Sequence, residues 1–213
     1  MARSKHKNKK SVSVSELKRP RPNDSLQAVL DDYLDYYLWC WGDLNQFKTI
    51  RDCICGKVQN PELLKKYNKL YLRGHHQRRI KNQAFHIAEL KIKKNLENLA
   101  KAVDFDQLHK KVLKLRTPGF GELCKYDFCI HFGYKMGLKP DKFLYLHAGT
   151  RTGFNHLKRL FPVLDNPQYL NQIPTEILPE EINCLWNGDL AGVGTMHVEN
   201  FLCIFKERLS SLK

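Results

Sequence analysis

No apolar run in this chain reaches membrane-spanning length, and no apolar core follows its first residues. The expectation is a soluble protein without a membrane partner or a secretory leader. Period-two alternation of apolar and polar residues is scarce, which argues against a sheet-built body. Acid is also in short supply, with 22 Asp and Glu against 36 Lys and Arg for a net charge of +14. The seven cysteines (40, 53, 55, 124, 129, 184 and 203) are odd in number and spread through apolar stretches. They read as reduced thiols inside a cell, with nothing to choose between cytoplasm and nucleus. Cys53-Ile-Cys55 is too close for the usual zinc knuckle, and no second cysteine pair completes a ligand set. No Gly-Lys-Ser/Thr ending makes a Walker loop, and no cysteine pattern for an iron–sulfur cluster closes the chain. The expectation is therefore no metal and no cofactor.

What the chain does have is enough apolar material for a core: 42% hydrophobic and 11% aromatic residues over 213 positions, or one to two domains. Its charge is uneven. Residues 1–22 hold eight Lys or Arg and a single acid, Glu16, so half of the net charge sits on this segment. It reads as a disordered basic arm ending in Arg19-Pro-Arg-Pro22, and serves equally as a targeting signal or a nucleic-acid arm.

Helical spacing dominates residues 23–213. Asn23 or Asp24 caps a first helix in which Leu26, Val29, Leu30, Tyr33, Leu34 and Tyr37 recur, and Trp39, Cys40 and Trp41 extend its apolar run. A short helix at Asp43–Phe47, a break at Asn60-Pro61 and a helix over Glu62–Tyr71 follow. The longest helix is expected over Arg79–Ala102, with Ala84, Ile87, Ala88, Ile92, Leu96, Leu99 and Val103 as its apolar stripe. Asp104 caps a helix over Phe105–Leu115. Another runs over Glu122–Lys135 and ends at Gly137 and Pro140. An apolar stretch starts at Phe143, the chain turns through His147–Gly153, and a helix covers Phe154–Phe161. Pro162, Pro167 and Pro174 mark a loop, Pro179 opens a short helix ending near Trp186, and Met196–Leu209 closes the chain. The fold expected is all-α: a multi-helix domain over 23–213, with room for two subdomains around a core of 79–160.

Two glycine turns stand between these helices. In Leu115-Arg-Thr-Pro-Gly119-Phe120-Gly121 the first glycine permits the turn, Phe120 plugs between the flanking helices, and Gly121 opens the next helix start to a phosphate. Lys114, Arg116 and Lys125 would strengthen that contact. Leu190-Ala-Gly192-Val-Gly194 repeats the core pattern in less basic surroundings. Tight helix packing is the plainer explanation of either turn.

The 115–121 segment resembles the helix-hairpin-helix motif, and residues 79–160 resemble the helix-hairpin-helix DNA glycosylase superfamily. That resemblance implies a DNA-facing fold. It further implies base flipping and glycosidic cleavage, with an aspartate about twenty residues after the hairpin. Asp141 holds that place, although in the setting Lys139-Pro-Asp-Lys-Phe. Bifunctional members carry a lysine inside the hairpin, where this chain has Glu122 or Leu123.

Three clusters carry candidate chemistry. Asp127 and His131 are four apart, on one helix face amid apolar neighbours, as an acid/base pair or a buried structural pair. His147-Ala-Gly-Thr-Arg151-Thr-Gly-Phe-Asn-His156 offers His147 as a base, stacking partner or cap, and Arg151 as a grip on phosphate or carboxylate. Arg73-Gly-His75-His76-Gln-Arg78-Arg79 reads as a phosphate contact. The leading expectation is binding to nucleic acid backbone, DNA before structured RNA. A divergent glycosylase or lyase using Asp127, His131, Asp141 and His147 is one alternative, which leaves enzyme activity undecided. A non-enzymatic scaffold with a basic arm is the other.

Overall fold

Helix starts and stops in this chain have local causes. The computed structural model describes Glu16 and residues 18–33, 49–55, 80–161, 176–177 and 195–212, and these are mostly helical, as expected. Helix α1 spans Leu26–Asp32; Ser25 caps it, its hydroxyl accepting from the Ala28 amide at 3.1 Å. The cap is thus later than Asn23 or Asp24, and Asp24 is used elsewhere. Helix α2 is Ile50–Cys55. The helix expected over 79–102 is two: α3, Asn82–Lys94, and α4, Leu96–Ala100. Asn95 separates them, its side-chain amide donating to the Lys91 carbonyl at 2.8 Å in competition with the backbone ladder. Ala84, Ala88, Ile92 and Leu99 of the expected stripe are buried, but Val103 lies beyond the α4 terminus and is 77% exposed.

Helix α5, Phe105–Leu113, is capped by Asp104, whose carboxylate accepts from the Gln107 amide at 2.7 Å. The Gln107 side chain in turn accepts from the Val103 amide, a near relative of the capping box. Helix α6, Glu122–Lys135, has the expected bounds. It ends in a complete Schellman arrangement: Gly137 takes φ +72°, the Leu138 amide donates to Gly133 and the Gly137 amide to Tyr134. Strand β1, Leu144–Tyr145, pairs antiparallel with β2, Glu176–Ile177.

Helix α7 covers Ala148–Leu160, so the segment expected as a turn at 147–153 is its first half. The glycines there serve a helix crossing. A β-carbon on Gly149 would stand 2.5 Å from the Cys203 sulfur, and one on Gly153 would overlap the Leu202 backbone. The partner is helix α8, Thr195–Ile204, followed after a break at Phe205 by α9, Lys206–Ser211, in place of one helix over 196–209.

Two apolar clusters result. One joins α2 through α6 around Cys53, Phe85, Ile92, Phe105, Leu108 and Phe128. The other joins α1, α7, α8 and α9 around Leu30, Tyr33, Phe154, Leu157, Phe201 and Leu209. The 79–160 stretch contributes to both. Tyr145 belongs to the first cluster and its neighbours Leu144 and Leu146 to the second, so β1 alternates its faces between the two.

Arg208 is fully buried and ties the last helix to the first. Its Nε donates to Asp24 at 2.8 Å and one terminal nitrogen to Asp32 at 2.6 Å, while the other terminal nitrogen pairs with Asp24 as well. Burial alone would raise the Asp24 pKa. The Arg208 hydrogen bond, the Arg21 amide and both arginine charges outweigh it and hold the carboxyl below its usual range.

Gly153→Ala is expected to cost about 3 kcal/mol, the upper range for overpacking, in urea unfolding, whereas Thr152→Ala on the exposed side of α7 should stay within about 0.5 kcal/mol. Arg208→Met removes the buried cation shared by Asp24 and Asp32, leaving Asp24 only the Arg21 amide at 3.0 Å and Asp32 only the Arg21 guanidinium at 2.7 Å, and should cost on the order of 3 kcal/mol at pH 7. Because Asp24 is held low, this joint contributes above about pH 4 and fades below it. The deficit of the variant should therefore shrink in unfolding measured at pH 3.

Candidate nucleic-acid interface

The hairpin begins where α5 ends. Pro118 fixes the second position of the turn and Gly119, at φ +76°, supplies the left-handed third position of a type II turn. The Phe120 amide closes it on the Thr117 carbonyl at 3.0 Å. Phe120 then inserts into the first core, 1% exposed, its ring edge-on to Phe85 of α3 at 6.0 Å. Gly119 lies against the same helix, since a β-carbon on it would reach 3.0 Å from the Ala84 methyl. Conformation and packing therefore both demand glycine at 119.

Gly121 is different. It caps α6 in an extended conformation, φ −70° and ψ 177°, that any residue adopts. A β-carbon there would meet nothing within 4 Å. It is exposed, and no side chain caps the helix. The α6 start is consequently a bare N-terminus with the positive end of the helix dipole facing outward. Lys114 and Arg116 are exposed on the strand of chain leading into it. Lys125 departs from the expectation: its ammonium donates to the Leu113 and Leu115 carbonyls at 3.0 and 2.8 Å, so it closes the end of α5. Desolvation lowers its pKa, with Glu122 and Cys129 acting the other way. Glu122 sits exposed in the first turn of α6, a negative charge that competes with any anion approaching there.

The four candidate catalytic residues have unlike surroundings. Asp127 and His131 are buried on one face of α6. His131 donates from Nδ1 to the Cys53 carbonyl of α2 at 2.8 Å. Burial lowers the His131 pKa, against the Asp127 charge and that hydrogen bond. His131 thereby joins α2 to α6. Asp141 is exposed in the loop before β1. His147 is buried at the start of α7, its ring 4.7 Å from Tyr126. Arg151 folds back to donate to the Leu146 carbonyl at 3.2 Å. Arg78, Arg79, Gly192 and Gly194 lie outside the described residues, as do the 73–79 cluster, Trp39–Trp41, the helix expected at 62–71 and nearly all of the arm through residue 17.

Sequence reasoning missed a polar ring cluster between the two cores. His109 of α5, Tyr126 of α6, Tyr145 of β1 and His147 share it, with His109 edge-on to Tyr145 at 4.6 Å. Behind it Thr150 donates to Glu199 of α8 at 2.5 Å, both buried. The signal available was His109 on the apolar face of α5, one position past Leu108.

Among the described residues no group of three or more His, Cys, Asp or Glu is placed to hold a metal ion, and no helix is long and apolar enough to cross a membrane. Comparison with family models, curated proteins and solved structures returns no match for this chain.

Gly119→Ala adds a methyl against Ala84 at a left-handed φ and should cost roughly 1–3 kcal/mol. Thermal unfolding of this variant beside Gly121→Ala, expected within about 0.5 kcal/mol of wild type, measures the difference between the two glycines.

Proposed function

We propose that the protein binds nucleic acid through its phosphate backbone, DNA in preference to structured RNA, with the 115–121 hairpin as the contact. The observation that carries the reading is Gly121. Its backbone needs no glycine and its β-carbon would be unopposed, so what the missing side chain provides is open approach to the α6 amides. A phosphate oxygen is the natural occupant of such a helix start. Exposed Lys114 and Arg116 supply flanking charge, and the net charge of +14 draws a polyanion from a distance. Backbone contact of this kind positions a duplex without choosing its sequence. In this reading Asp127 and His131 maintain the fold, and the basic arm adds salt-sensitive affinity.

Fluorescence anisotropy with labelled duplex, single-stranded, abasic-duplex and RNA probes across a salt series tests it. Gly121→Asp should keep or slightly raise stability, because aspartate is a better cap than glycine by a few tenths of a kcal/mol. The same change should weaken duplex binding by tenfold or more, since its carboxylate takes the phosphate's place. Glu122→Gln should strengthen binding. Lys114→Gln and Arg116→Gln should each lower the salt slope by about 1, as expected when one cation no longer neutralises a phosphate. Unchanged affinity in Gly121→Asp, together with binding abolished on removal of residues 1–15, would assign recognition to the arm alone and remove the hairpin from the reading.

A further inference from the structure

We infer that the ring cluster between the two cores is a protonation-controlled joint: mild acid separates the cores at β1 and the start of α7 before either core unfolds. His109 arrives from the first core on α5, and His147 begins α7 of the second; their rings stand 6.3 Å apart and nearly perpendicular. His109 is 3% exposed, stacked 6.2 Å from Phe105 and edge-on to Tyr126 and Tyr145. Neither of its ring nitrogens has a hydrogen-bond partner. An imidazolium there would be a desolvated cation with two donors and no acceptor, a costly arrangement.

The groups facing it come from every neighbouring element. On α5, Asp106 lies near, but its carboxylate already holds Lys110 at 2.7 Å and accepts from the Tyr145 hydroxyl at 3.1 Å. Lys125 and Tyr126 face it from α6, Tyr145 from β1 and His147 from the start of α7. Arg151 of α7 is turned to the Leu146 carbonyl, and Glu199 of α8 is bonded to Thr150. Tyr126 stays a neutral phenol, its pKa raised by burial and then by Glu199 and Asp127. Of these neighbours only Asp106 favours a proton on His109; His147, Lys125 and Lys110 oppose it.

Burial, followed by those like charges, lowers the His109 pKa to about 4. The closed joint thus holds neutral His109, whereas an open one lets it take a proton in the ordinary range near 6.5. Closure is complete above that range and loses up to tenfold per pH unit as pH falls from about 6.5 toward 4. Burial also lowers the pKa of His131 and His197. His131 bridges α2 and α6 inside the first core and His197 meets the Tyr33 hydroxyl in the second, so neither lies at the joint.

Hydrogen–deuterium exchange of the full chain at pH 7.5 and 5.0, corrected for intrinsic exchange rates, tests the proposal. Protection of the 144–151 amides should fall roughly 30-fold in wild type while α2, α6 and α9 keep theirs, and His109→Phe should abolish the fall. Unchanged protection at 144–151, simultaneous loss in both cores, or an equal fall in His109→Phe would overturn it. A histidine NMR titration of wild type is the second measurement, independent of how the variant folds. A His109 resonance that stays neutral to below pH 6 is expected, and one titrating at 6.5 or above would overturn the joint.

Discussion

The backbone-to-backbone crossing of α7 and α8 is the constraint on which the arrangement rests. Gly153 leaves no room for a single carbon over Leu202, and Gly149 leaves almost none over Cys203. That closeness fixes α8 against the start of α7, where Thr150 meets Glu199. It also fixes α9, which packs on α7 in its turn and brings Arg208 to Asp24, just before α1, and Asp32, its last residue. A larger residue at 153 would spread the pair and withdraw those polar partners together. Dispersion between close helices falls off within an ångström or so, so the second core depends on two missing side chains as much as on the ones it holds.

The hairpin uses glycine in two other senses. At 119 the residue answers a left-handed φ and a neighbour at 3.0 Å. At 121 neither reason applies. The contrast matters because a glycine demanded by the backbone says nothing of ligands, while one that the backbone does not demand invites a reason outside the fold. The tie from Lys125 to the Leu113 and Leu115 carbonyls stiffens the turn, since it pins the end of α5 to α6. A rigid turn presents its amides without an ordering cost at the moment of contact.

Local chemistry was legible where one residue decides. Asp104 and Gly137 are read directly from the sequence because a cap needs only a carboxylate or a left-handed residue at one place. The Glu122–Lys135 helix follows from its two flanking glycines. The start of α7 was not legible. Gly149 and Gly153 look like turn residues by propensity, and only the partner backbone of α8, some fifty residues away, makes them helical. Asn95 ends α3 through a side-chain bond that spacing does not reveal. The site divides the same way. Gly119, Phe120 and Gly121 form one contiguous motif, whereas His109, Tyr126, Tyr145, His147 and Glu199 meet only because five elements converge.

That convergence explains why the polar rings gather where the first core, which includes Tyr126 and Tyr145, meets the start of α7. Successive side chains along a strand point to opposite faces. Leu144 and Leu146 serve the second core, so Tyr145 must face the first, where its hydroxyl finds Asp106. Tyr126, His109 and His147 complete the ring group around it in edge-on and tilted contacts. The His109 imidazole is tolerated there only while neutral. The same rings that join the cores therefore make their union conditional on the state of a proton.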